Sequence, residues 1–156
     1  MVERAAFWAS QGQSAEEIIR QLESMIHRCR VYFLVATLEY LARGGRIGGA
    51  ASLLGSILQI KPILTLREGR VEQYERERTH RQALNRLKQI VLEQFPRDGE
   101  GFLSVMHADV PDEGTALAAE LGELVGQPVV PVADVPPAIV THGGPGVLGV
   151  GFFVKN

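Results

Sequence analysis

The runs Ile60-Lys61-Pro62-Ile63-Leu64-Thr65-Leu66 and Val71-Glu72-Gln73-Tyr74-Glu75-Arg76-Glu77-Arg78 flank the short break Arg67-Glu68-Gly69-Arg70. Two strand-like segments around a four-residue turn that contains glycine make a β-hairpin. Along the second segment, Glu72, Tyr74, Arg76 and Arg78 share one face, and Val71, Gln73, Glu75 and Glu77 the other. That pattern suits an edge, or a strand with one wet face. Thr79 follows at once and opens the longest helical pattern, to about Phe95, with Ala83, Leu84, Leu87, Ile90 and Val91 as its buried stripe. Pro96 and Asp98-Gly99 end it.

Downstream, strand and helix alternate. Phe102 to His107 reads as a strand and Asp112 to Val125 as a helix. Val129 to Val132 and Ala138 to Thr141 read as short strands, and Val147 to Val154 as a last one. Upstream, Val31 to Ala36 is a short apolar run of β-formers, hence a buried strand. Thr37 can cap a short helix, Leu38 to Arg43, which Gly44-Gly45 should stop, and a further short helix is expected from Ala50 to Leu58. Ser14-Ala15-Glu16-Glu17 is a capping box, and Ile18, Ile19, Leu22, Met25 and Ile26 follow at helical spacing. The first thirteen residues show no capped element.

Helices and strands in this order, with a hairpin interrupting the crossovers, predict an α/β fold: a two-layer domain with a mixed sheet of about six strands packed on helices. Residues 1–28 read as a linker and helix left from a missing upstream domain, and residues 29–156 as the α/β domain proper.

Composition narrows the function. A chain of 156 residues, 46% apolar and 22% charged, favours one domain with a real core. A net charge of -2 offers no bulk attraction to nucleic acid or to anionic lipid surfaces. No apolar run approaches the roughly 20 residues of a membrane helix, and the first residues lack the order of a secretory signal. The single cysteine, Cys29, excludes an internal disulfide and fits a reducing compartment. A cytoplasmic location without stable membrane insertion is the expectation.

Three stretches carry potential chemistry. Gly44-Gly45-Arg46-Ile47-Gly48-Gly49 sets four glycines around one arginine, so exposed backbone N–H groups and a fixed guanidinium could hold an anion. Spacing alone equally allows a helix-to-helix turn with a solvated arginine. The stretch has neither the Lys-Ser/Thr of a phosphate-binding loop nor the strand-to-helix setting of a dinucleotide site. Thr141-His142-Gly143-Gly144-Pro145-Gly146 holds a histidine, read as a strand end, beside a loop stiff at Pro145 and permissive elsewhere. Leu53 to Leu64 is apolar and leads into the hairpin, which core packing explains by itself. His27, His80 and His107 are scattered, no cluster has metal-ligand spacing, and no Gly-x-Ser-x-Gly elbow occurs.

The order of these stretches resembles the DegV family. The matching pieces are Thr37-Leu38-Glu39-Tyr40-Leu41 with Gly44-Gly45-Arg46-Ile47, then Ile60-Lys61-Pro62-Ile63-Leu64 and Gly69-Arg70-Val71. Arg78-Thr79, His142 and Gly144-Pro145-Gly146 continue them, and Gly12-Gln13-Ser14 with Glu16-Glu17-Ile18 resembles the helix leaving the family's first domain. The resemblance implies the C-terminal domain of a two-domain protein that binds a long-chain fatty acid between its domains and presents it to a fatty acid kinase subunit. It implies no catalytic residue, no metal and no cofactor beyond the bound fatty acid. By matching position, Arg46, His142, Gly143, Gly144 and Gly146 belong to the head-group network. Leu53, Leu54, Ile57, Leu58, Ile60 and Ile63 would form a wall for the acyl chain. The family's first domain, which completes the pocket, has no counterpart in these residues, so an exposed apolar surface and self-association are expected.

Two other readings stand beside it. One is a dihydroxyacetone-kinase-like enzyme, in which His142 holds a small ketone covalently. The other is a regulatory interaction domain, although no basic stripe or helix-turn-helix supports nucleic-acid binding.

Overall fold

In β1 (Cys29–Leu34) the side chains of Tyr32 and Leu34 point to one face and Phe33 to the other, each into a different apolar cluster. That alternation organises the domain. The computed structural model describes residues 1–54, 60–96 and 101–155. Among them, β1 joins β2 (Lys61–Arg67), β3 (Arg70–Glu77), β4 (Leu103–His107), β5 (Val132–Asp134) and β6 (Leu148–Phe153) in one sheet ordered β3-β2-β1-β6-β4-β5. Only the β4–β5 pair is parallel, so the sheet is mixed, as the hairpin requires.

The first face is closed by two helices, α4 (His80–Gln94) and α5 (Pro111–Val125). Leu87, Ile90 and Val91 of α4 and Leu121 of α5 meet Ile63, Val105, Leu148, Val150 and Phe152 of the sheet, all at 0–1% exposure. At about 1.5–3 kcal/mol for each large apolar side chain removed from water, this cluster dominates the stability. Over part of the second face lie three short pieces: α3 (Glu39–Arg43), a 3-10 turn (Gly48–Leu53) and α6 (Pro137–Gly143). They bring Leu41, Ala50, Leu53 and Val140 against Val35, Leu64, Val71 and Val147. Gly48, at φ 50°, lays its Cα against the carbonyl of Val71 on the edge strand, an approach closed to any residue with a Cβ.

Local patterns formed as expected where they were strong. Ser14 caps α2 (Ala15–Ile26) in a full capping box: its hydroxyl accepts from Glu17 N at 3.3 Å, and its own N–H donates to Glu17 Oε2 at 3.0 Å. Thr79 Oγ1 accepts from Gln82 N at 3.2 Å and starts α4. Thr37 works one place earlier than a cap, since its hydroxyl accepts from Glu39 N while Leu38 occupies the N-cap position of α3.

Other expectations need correction. The first residues form a helix, α1 (Val2–Ser10), none of whose side chains is buried; Arg4 lies over the Phe102 ring at 4.4 Å. The hairpin turn is two residues, not four: Glu68 (φ 51°) and Gly69 (φ 74°) adopt the paired positive φ of a turn that matches strand twist. The helix expected from Ala50 to Leu58 is the 3-10 turn Gly48–Leu53; residues 55–59 lie outside the described residues. Val129 is exposed, and β5 begins only at Val132, because its pairing with Val105 to His107 sets the register. Residues 138–141 are helical, within α6: Pro136 and Pro137 preset the first turn, and four apolar residues are too few to reveal a period.

The alternation expected in β3 is broken by a bulge. Ile63 pairs with Glu75 and Leu64 with Gln73, leaving Tyr74 as the extra residue. Tyr74 and Glu75 therefore both serve the α4 side. The Tyr74 ring meets Tyr32 edge-on at 4.8 Å, and both hydroxyls bond Gln94. Glu75 accepts twice from Arg86, at 2.6 and 2.8 Å, and Arg86 also donates to Glu93. The hydrogen bonds from Arg86 hold the Glu75 carboxyl below the usual carboxylate range. A depressed folded-state pKa gives stability that is present above the unfolded value, about 4.3, and lost as pH falls through the folded one. Urea midpoints measured from about pH 5 to pH 2 should fall less steeply for Glu75→Gln than for the unmodified chain, by a margin reduced by the partial exposure of the pair. Equal slopes would show that the pair adds nothing.

Candidate functional site

Two helix ends build the site. Helix α3 stops at Gly44; Gly45 then turns left-handed at φ 63°, and Arg46 N donates back to Leu41 O at 3.1 Å. This closure projects the Arg46 side chain outward, where its Nη1 donates to Gly44 O at 3.3 Å. Helix α6 stops at Gly143 with His142 in its last turn, and Gly144 follows at φ 77° and ψ 176°, a backbone region essentially reserved for glycine.

The two ends interlock. The His142 ring rests on Gly44, so closely that any Cβ at Gly44 would overlap it. The Tyr40 ring of α3 rests on Gly144 in the same manner. Each helix thus seats a ring of the other on its terminal glycine. Gly44 is the common element: its carbonyl holds Arg46 and its Cα holds His142. A sequence separation of nearly a hundred residues is closed to adjacent groups.

The loop after His142 is fixed from further sides. Gly146 N donates to Ala108 O at 2.7 Å, and Ala108 N donates to Val147 O at 2.9 Å. Gly146, at φ 79°, packs against Ala36 beyond the end of β1. Lys61 Nζ reaches Ala36 O at 3.3 Å, adding a second cation to this end of the sheet. The glycine-rich spelling did not point to Lys61 or Tyr40; both arrive through contacts distant in sequence.

Chemically the site is basic and short of acceptors. Arg46 is exposed and forms no ion pair among the described residues. His142 Nδ1 is buried without a hydrogen-bond partner. A guanidinium and an imidazole over a glycine turn suit a planar anion such as a carboxylate. No group of His, Cys, Asp and Glu among the described residues could hold a metal.

The expected acyl wall divides. Leu53 is buried on the second face, Leu54 is exposed beside it, and Ile60 packs against the same cluster. Ile63 points to the opposite face, wholly buried with Tyr32 and Ile90 under α4. Ile57 and Leu58 lie outside the described residues. The second face also holds a trough absent from the sequence reading. Gly149 and Gly151 of β6 alternate there without side chains, between Phe33 on one neighbouring strand and Ser104 and Met106 on the other. Exposed Leu66 and Phe102 lie in β2 and just before β4. The trough starts beside the His142 loop, because β6 follows that loop directly and Gly149 is its second residue.

A family model described as "Uncharacterised protein, DegV family" matches residues 1–155. The chain belongs to the DegV family. A DegV domain-containing protein of Streptomyces coelicolor is 40% identical over 94% of this chain and 52% of its own length. One of Clostridium acetobutylicum is 35% identical over 97% of this chain and 53% of its own. The chain therefore spans about half the length of the curated DegV relatives it matches. Among solved structures, a fatty-acid-binding DegV protein of Streptococcus agalactiae superposes at TM-score 0.87 with 29% identity, covering 99% of this chain and 55% of that one. A DegV protein of Thermus thermophilus, also described as binding fatty acid, gives 0.83 and 35% over the same shares. The six-stranded mixed sheet is the fold of these DegV structures.

The interlocked glycines set a stability prediction. Gly44→Ala and Gly144→Ala each force a ring aside, and Gly144→Ala adds backbone strain, so each should cost about 1–3 kcal/mol. Gly45→Ala, with open space beside its Cα, should cost only the strain of its positive φ, about 1 kcal/mol. Urea denaturation of the three variants measures the order; a Gly45→Ala loss equal to the others would contradict the seated rings.

Proposed function

We propose that this chain supplies one side of a long-chain fatty acid site, with the carboxylate held at Arg46 and His142 and the acyl chain on the apolar second face of the sheet. The observation that carries the reading is the convergence of Arg46 and His142 on Gly44, which sets a guanidinium and an imidazole beside each other with no ion pair to either among the described residues. A buried carboxylate needs paired charge and hydrogen bonds, and these residues offer both. Backbone around Gly143, Gly144 and Gly146 shapes the same place. Leu53, Leu54 and Ile60 flank it, and the trough over Gly149 and Gly151 gives an extended chain a path along the sheet. Each methylene enclosed contributes about 0.8 kcal/mol, so affinity grows with the length of chain covered.

The fatty-acid-binding DegV structures support this reading, and their greater length supports a pocket completed by the half of the relatives that this chain does not span. On this proposal residues 1–28 connect the two halves, and the assembled protein carries its ligand without transforming it, presenting the carboxylate to a fatty acid kinase subunit in the cytoplasm. No helix among the described residues is long and apolar enough to cross a membrane.

The test is palmitate binding by displacement of a fluorescent fatty acid, on this chain and on a chain extended to the full length of its relatives. The extended form should bind more tightly, and Arg46→Ala and His142→Ala should each weaken it about tenfold or more, as for hydrogen bonds to a charged group. Palmitate methyl ester should bind poorly. If the ester binds as well as the acid, or both variants bind normally, the head-group assignment fails.

A further inference from the structure

Within the site proposed above, and resting on that reading, Tyr40 has no assigned part. Its ring is 38% exposed, unlike Tyr32 and Phe152, which fill the core. It contributes little to the interior, yet its ring sits directly on Gly144 and so joins α3 to the loop after α6. We propose that Tyr40 is a positioning residue, holding Gly144 against α3 and thereby fixing His142 over Gly44 in the orientation that an anionic ligand meets.

The orientation of His142 has few possible sources. No hydrogen bond reaches its ring from a described residue, and Nδ1 is buried without a partner. Orientation comes from packing alone. Gly44 supports one side of the ring, but that support works only while the end of α6 stays pressed toward α3. Gly144 N bonds Val140 O within its own helix at 2.7 Å, and Gly146 N bonds Ala108 O near β4; neither bond reaches α3. The Tyr40 ring on Gly144 is the reciprocal contact, and it comes from the same short helix that ends in Gly44. Moving Tyr40 away frees the far half of the clasp. Because only glycine adopts the backbone of Gly144, no side chain at that position can replace the contact. The phenol hydroxyl has no partner among the described residues, so the ring rather than the hydroxyl carries the role.

Three measurements decide it. In the ligand-free chain, the Hα protons of Gly144 should show the upfield ring-current shift of an aromatic face; ordinary glycine shifts would overturn the proposal without any variant. Tyr40→Leu should move the His142 ring signals and speed amide exchange at Gly144 and Gly146, and Tyr40→Phe, which keeps the ring, should restore both. Unchanged His142 signals in a folded Tyr40→Leu chain would also overturn it. In palmitate binding by the extended chain, Tyr40→Leu should weaken affinity about tenfold, the scale expected when a supporting group loosens a site. Most of that loss should disappear in a His142→Ala background, since Tyr40 acts through His142. A full, additive loss there would mean that Tyr40 acts independently. If the extended chain binds no fatty acid at all, the functional reading fails, while the ligand-free signals still judge Tyr40.

Discussion

The fold depends on the insertion of β6 into the middle of the sheet. β6 pairs antiparallel with β1 from Leu148 to Phe153 and with β4 from Leu148 to Phe152. Without it, the antiparallel strands β1, β2 and β3 and the parallel pair β4 and β5 would be two pieces, each with an open edge and half a core. Its two faces are specialised. Leu148, Val150 and Phe152 lie at the centre of the cluster under α4 and α5, while Gly149 and Gly151 leave the other face low. One strand therefore joins the halves, anchors the interior and shapes the trough.

The site inherits its geometry from that insertion. The loop ahead of β6 is tied to Ala108 at the end of β4 and to Ala36 beyond β1, so the strand pairing fixes where His142 can be. What remains is local adjustment, made by rings on glycines rather than by hydrogen bonds. Such contacts locate the His142 ring without a hydrogen bond and leave its Nδ1 buried and unpartnered. Around Gly44, Arg46 and His142 come together with no ion pair to either among the described residues.

Legibility followed the range of the forces. The capping box at Ser14, the stripe of α4 and the hairpin are set by neighbours in the chain, and each could be read directly. The hairpin's bulge could not, because the demand for Tyr74 and Glu75 on one side comes from Tyr32, Gln94 and Arg86. Ala138 to Thr141 is rich in β-formers and so reads as a strand, whereas the residues that decide for α6 are the prolines before it. Arg46 and His142 stood out through the glycines around them. Tyr40 and Lys61 did not, since nothing near them in sequence shows which glycine or carbonyl they will meet. Leu53 and Ile63 are alike as apolar residues in the sequence, but the pleat of β2 turns Ile63 to the first face while the 3-10 turn lays Leu53 on the second.

The seat of Gly48 on the Val71 carbonyl has a consequence for the protein in company. β3 is an outermost strand, and a bare row of outward carbonyl and amide groups would invite another chain to dock and extend the sheet. The 3-10 turn seated on Val71 blocks that row at its start, and Glu72, Glu75, Arg76 and Glu77 put charge along the rest of the strand. The opposite border, β5, is only three residues long and ends in Asp134, too short to template a lasting ladder. The sheet is thereby kept finite: neither border offers the long, flat, uncharged run from which fibrillar growth starts.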